Sequence, residues 1–234
     1  MDFAGKSICL TKMEFDILAS AMGLQKMVCF QAKEEVEMTE TPQERYNRSV
    51  FALHKRGILI PDKEGFLIQE SVEDIFRTIK ACKVILTADS NLEEASQACL
   101  YFDDETVVTA VPGTRKDEYI KMSCSDIRGF GRIIMERGFL LEEMLPEGLR
   151  ELQADEELYG ISTEQLEKAK DVEELLGLQG VKTVFTIYQG EKRSFVGIIG
   201  QPLQDKIFIK EDKEVAIKTY SIRVLEETLE NYYL

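Results

Sequence analysis

The side chains that could do chemistry in this chain are five cysteines, one histidine and a large stock of carboxylates. Cys9, Cys29, Cys82, Cys99 and Cys124 lie far apart, with no CxxC spacing. Zinc takes ligands that arrive in close pairs, and an odd, dispersed set builds neither such a site nor a disulfide framework. These cysteines read as reduced thiols that pack as small apolar groups. His54 is the only imidazole. It falls near the end of an expected helix, where a contact with the helix dipole accounts for it. With 43 Asp and Glu residues, neighbouring carboxylates arise by chance, so no acid–base pair stands out. Gly129-Phe130-Gly131 falls inside an expected helix instead of ahead of one, which is the wrong place to present amides to a phosphate. No GxSxG, HExxH, P-loop or EF-hand pattern occurs. The expectation is a protein that is not an enzyme and holds no cofactor and no metal.

Charge narrows the partners. The formal net charge is -14, which repels phosphate backbones and anionic lipid. The opening residues "MDFAGKSICL" carry neither the basic stretch nor the apolar run of a signal peptide. The apolar runs are far shorter than the roughly 18–20 residues needed to span a bilayer. A cytoplasmic protein with no membrane partner is expected. At 234 residues, with 44% hydrophobic residues, 5 Pro and 15 Gly, the chain is long enough for a substantial core and ordinary enough to be a folded globule.

The elements that would position any site begin with residues 1–80. Thr11 and Glu14 form a capping-box pattern ahead of Phe15, Leu18, Ala19 and Met22, and Gly23 suits the position just past the helix. A second helix opens on Thr41, Pro42 and Glu44, carries Tyr46, Val50 and Leu53 as its stripe, and ends at Gly57. "ILI" and "FLI" flank "PDKEG", a short hairpin. Ser71 and Asp74 then open a helix with Val72, Ile75, Phe76 and Ile79 along one side. Helix, hairpin, helix in this order is winged-helix-like. Arg45, Arg48, Lys55 and Arg56 lie on the helix that would read DNA, but acidic residues precede them. The expected wing tip holds Asp62 and Glu64 beside Lys63, where a phosphate-touching wing should be basic.

Residues 81–139 read as a first antiparallel sheet plus helix: "CKVILTA", then three strands within "ACLYFDDETVVTAVPGTRKDEYIKMSC", then a helix from about Ser125 to Arg137. Residues 179–234 repeat that plan with "VKTVFTIYQG", "RSFVGIIG", "KIFIK", "VAIKTY" and a last helix carrying Ile222, Leu225, Leu229 and Tyr232. Four strands and a helix, twice, predict an α+β fold with a pseudo-duplicated antiparallel sheet. The two sheets are expected to form one continuous surface about a pseudo-twofold axis, within one compact unit.

Between them, residues 140–178 form a central helical segment. Leu141, Leu145, Leu149 and Leu152 recur at helical spacing, with Pro146 dividing the run. Ser162 and Gln165 then make a capping box ahead of Leu166 and Ala169. Seven acidic residues between Glu142 and Glu157 oppose only Arg150, as in a solvated face or an acidic rim around a partner groove. This leucine stripe, together with Leu166 and Ala169, is the candidate partner-binding surface; the alternative is that it packs onto the sheets.

One resemblance covers nearly the whole chain. "LTKMEFDILASAMG", "LHKRGILIPDKEGFLI" and the order of elements after them resemble the EspG family of type VII (ESX) secretion chaperones. The resemblance implies a cytoplasmic chaperone that holds a helical client, a WXG-like secretion substrate or similar, without cofactor or chemistry. A homodimer is compatible with it. One departure matters. The loop that helps grip clients in the family shrinks here to Asp103-Asp104-Glu105, and the Lys/Glu-rich, low-glycine composition differs from mycobacterial members. The competing reading is a winged-helix transcriptional regulator that binds DNA.

Overall fold

Capping chemistry places the helices. A computed structural model describes residues 7–24, 40–63, 65–93, 95, 97–112, 119–141, 160–201 and 204–233. The fold is α+β, and every strand pairing within each unit is antiparallel. The chain divides into two compact units, one of residues 1–83 and 98–128, the other of 84–97 and 129–234.

The first unit opens with strand β1 (Ser7–Thr11) and helix α1 (Lys12–Ala21). Thr11 Oγ1 accepts the Glu14 N–H at 3.2 Å, and Glu14 Oε2 accepts the Thr11 N–H at 2.9 Å. Helix α2 (Pro42–Lys55) carries the same box on Thr41 and Glu44, with Pro at its start. Each such cap is worth about 1 kcal/mol. Gly23 and Gly57 sit at φ +68° and +71° just past the two helices, a left-handed conformation that glycine adopts without a Cβ penalty. A hairpin of β2 (Leu59–Asp62) and β3 (Gly65–Ile68) follows, then helix α3 (Glu70–Ala81). Helix α3 starts two residues earlier than a cap at Ser71 predicts, and Gln69 gives it no side-chain cap. Its face Val72, Ile75, Phe76 and Ile79 is buried, packed on strands β5 (Ala98–Phe102) and β6 (Thr106–Pro112). Strand β7 (Tyr119–Asp126) completes this unit's sheet, in the order β1-β7-β6-β5.

Glu14 does more than cap. Its side chain is only 5% exposed, and Arg56 Nη1 reaches both its oxygens at 3.2 and 3.1 Å. Arg56 Nη2 also donates to the Cys9 carbonyl. A buried carboxylate needs donors on each oxygen to offset lost hydration. Here the end of α2 supplies them to the start of α1.

In the second unit β4 (Val84–Ser90) pairs with β8 (Val181–Gln189) from Ile85↔Tyr188 to Ser90↔Thr183. Strands β9 (Lys192–Ile199), β10 (Lys206–Glu211) and β11 (Glu214–Thr219) follow in sequence, giving the order β4-β8-β9-β10-β11. A 3-10 turn at Ile127–Gly129 leads to helix α4 (Phe130–Glu136), shorter than the sequence suggests because β7 runs on through Asp126. Two short helices, α5 (Thr163–Lys168) and α6 (Val172–Leu176), are capped by Ser162 and Asp171. Helix α7 (Ile222–Tyr233) closes the chain, with Ser221 Oγ accepting the Val224 N–H at 3.1 Å.

The core of this unit joins Leu166 and Leu175 to Val184, Phe195, Ile199 and Phe208. Gly197 is required there, because a Cβ on it would overlap the Phe208 ring. Lys210 is a buried cation in the same region. Its Nζ donates to the carbonyls of Glu167 at 2.7 Å and Asp212 at 3.0 Å, and lost hydration pushes its pKa down. Lys210 thereby satisfies a carbonyl near the end of α5 that the helix itself leaves open.

Candidate partner-binding surface

The residues singled out in the sequence divide three ways. Leu145, Leu149 and Leu152 lie outside the described residues. Leu141 is half-buried, and its carbonyl accepts the Tyr220 hydroxyl at 2.9 Å. Leu166 and Ala169 are buried, at 0% and 6% exposure, in the cluster around Phe208. A partner reaches neither without opening that cluster, because α5 lays its single apolar face on the sheet. Asp103, Asp104 and Glu105 form the tight turn between β5 and β6, where the Asp103 N–H donates to the Thr106 carbonyl at 2.9 Å.

Exposed apolar surface gathers elsewhere. Of the eight large apolar side chains exposed among the described residues, five lie on α2 and the hairpin. Phe51 is 66% exposed, Leu67 57%, Phe66 51%, and Tyr46 and Ile60 46% each. Single exposed apolar residues are ordinary, whereas a contiguous group marks an interaction surface. Three of the five, Tyr46, Phe51 and Phe66, line a concavity of about 590 Å³ contained within the first unit. Helix α2 lines it with Tyr46, Asn47, Val50, Phe51 and His54, helix α1 with Ile17, Ser20 and Ala21, and the hairpin with Leu59, Phe66 and Ile68.

Local geometry explains the exposure. The buried positions of α2 are Ser49 and Leu53. Phe51 lies two residues from each and so about 160° around the helix from both. The expected stripe of Tyr46, Val50 and Leu53 therefore splits. Leu53 enters the core, while Tyr46 and Val50 turn to the concavity. The hairpin splits too. Pairs Leu59↔Ile68 and Pro61↔Phe66 share one face, and Ile60↔Leu67 occupies the other. A two-stranded ribbon that is apolar on both faces cannot bury both against one body. Those two signals, an aromatic opposite the core side of a helix and a doubly apolar hairpin, were available in the sequence.

The polar groups here are few and specific. His54 Nδ1 donates to the Leu59 carbonyl at 3.1 Å, and its ring lies 6.0 Å from that of Phe66. Arg48 pairs with Glu40 at 2.8 Å and Arg56 is committed to Glu14. Two of the four basic residues that DNA reading would use are thus engaged within the protein. Cys9 is exposed, Cys82 half-buried, and Cys99 and Cys124 are buried, and none of these four is in a disulfide. Burial pushes the Cys82 thiol up to about 11, which makes it a poor nucleophile. Cys29 lies outside the described residues. Among the described residues no three His, Cys, Asp or Glu side chains converge as metal ligands.

By sequence, no family model and no curated protein matches the chain. By structure, it is similar to the type VII secretion system chaperone EspG5 of Mycobacterium tuberculosis, solved in complex with the PE25–PPE41 dimer. The match has a TM-score of 0.54 at 12% identity and covers 97% of this chain and 95% of that one. The chain has the EspG fold.

Proposed function

We propose that this chain is a non-enzymatic, cytoplasmic binding protein that holds a helical type VII secretion substrate soluble before export. The observation that carries the reading is the end-to-end match in fold to a secretion chaperone solved with its protein partner. An exposed aromatic surface on an otherwise strongly acidic protein fits the same role. A chaperone needs apolar area for its client and enough net charge to stay soluble when empty. Among the described residues no helix is long and apolar enough to cross a membrane.

The winged-helix outline does not favour a DNA regulator. The outward side of α2 presents Phe51 and Tyr46 beside an apolar hairpin, and the hairpin tip bears Asp62. Duplex DNA should bind no tighter than about 10⁻⁴ M at physiological salt, as fluorescence anisotropy on promoter and mixed-sequence fragments would show. The chaperone reading is tested by co-expression with WXG-type secretion substrates of the source genome. The expected result is a soluble complex that survives size-exclusion chromatography. Substrates that stay unbound and no more soluble than when expressed alone would overturn it.

A further inference from the structure

The concavity between α1, α2 and the hairpin carries an inference about what occupies it. It deepens the protein-binding reading and rests on it. We propose that this groove docks one amphipathic helix, whose apolar anchors lie against Phe51, Tyr46 and Phe66 and whose flank beside Lys55 is acidic.

Backbone chemistry selects a helix. An extended peptide needs a free sheet edge beside it to pair its N–H and C=O groups, since such groups are costly to bury unpaired. The groove offers side chains, from the faces of two helices and the groove-side face of the hairpin. A helix closes its own backbone hydrogen bonds and brings only side chains to the contact. The dimension agrees. From Tyr46 to His54 the lining of α2 spans about 12 Å of helix axis, the length over which a partner helix presents anchors at i, i+3 or i+4, and i+7.

Charge selects the flank. Helix α2 carries Arg45, Arg48 and Lys55 within a chain of net charge -14, and Arg48 is paired with Glu40, which leaves Lys55 as the cation available to a partner. Lys55 is exposed one turn after Phe51, about 40° further around the helix, and makes no ion pair among the described residues. An acidic strip on the partner meets attraction there and repulsion over most of the remaining surface, so charge fixes which way the helix lies. A second copy of this chain is disfavoured by the same arithmetic, since two bodies of charge -14 repel.

Two synthetic amphipathic peptides of about 18 residues test this, with identical leucine anchors and either Glu or Lys along one flank. Fluorescence anisotropy against the full chain should show the Glu peptide binding at least about tenfold tighter than its Lys twin. Phe51→Glu should abolish the binding while leaving the thermal melt unchanged, because Phe51 is exposed and supports no core. Lys55→Glu should reverse or erase the preference between the twins. Equal binding of the twins, or an unaltered Phe51→Glu, overturns the proposal. So does a dimer, a lipid-vesicle contact or a DNA complex that Phe51→Glu dissolves, since each assigns the groove another occupant. Co-expression separates this from the chaperone reading. A secretion substrate still held by Phe51→Glu leaves the chaperone standing and removes the groove as its seat. Tight Glu-peptide binding by a chain that holds no secretion substrate does the converse.

Discussion

Helices α2 and α5 are built on the same start signal and end in opposite circumstances. Each opens on a complete capping box, Thr41 with Glu44 and Ser162 with Gln165. Helix α5 then places Leu166 at full burial among Phe195, Ile199 and Phe208. Helix α2, more than twice as long, buries Leu53 and leaves Phe51 and Tyr46 largely in water. A cap determines that a helix forms and where it starts. Whether its apolar residues are covered depends on how much apolar surface other elements bring to it. Five strands stand behind α5 in its unit, whereas the outer side of α2 meets, among the described residues that line the concavity, α1 and a two-stranded hairpin.

The contrast can be broken most forcefully at Leu166. Leu166→Ala should cost about 2–5 kcal/mol, since it removes a fully buried side chain and leaves a void. Urea denaturation at unchanged slope is the measurement, and a loss under about 1 kcal/mol would show that α5 is not core. Gly197→Ala comes next. The added methyl meets the Phe208 ring in that same cluster and should destabilise by about 1–3 kcal/mol through overpacking, read by the same titration. The caps sharpen the comparison by their equality. Thr41→Ala and Ser162→Ala should each lose about 1 kcal/mol, and unequal losses would tie cap strength to burial. The smallest effect is expected from the most exposed ring. Phe51→Ala should shift stability by no more than about 0.5 kcal/mol, so a substantial drop in the unfolding midpoint would place Phe51 in the core.

Much of the architecture was legible because its signals are local. Thr11, Thr41 and Ser162 cap as their spacing indicates, Gly23 and Gly57 end their helices, and the strands from Ala98 onward fall on the segments the sequence marks as strands. Strand β1 was not legible. Two apolar positions, Ile8 and Leu10, make a weak alternation, and their partners Met122 and Ile120 lie more than a hundred residues downstream. A pairing so distant leaves no mark in a short window. The split of the α2 stripe was not legible for a related reason. Periodicity groups Tyr46, Val50 and Leu53 into one stripe, and an isolated helix carries no sign of where along that arc the cover stops. Leu166 and Ala169 show the same ambiguity resolved the other way, toward the sheet.

The hairpin that walls the groove has a mechanical consequence. Its base is tied at several points. The Ile58 N–H donates to the Leu53 carbonyl at 3.0 Å, the Gln69 N–H to the Ile58 carbonyl at 2.9 Å, and His54 to Leu59. From there the ribbon runs four residues on each strand, joined by its own cross-strand bonds and braced where the Phe66 ring meets the His54 ring. It is a cantilever tied at its root and propped at Phe66, with His54 serving both points. A ligand in the groove meets a wall fixed at those two points and is judged there on shape.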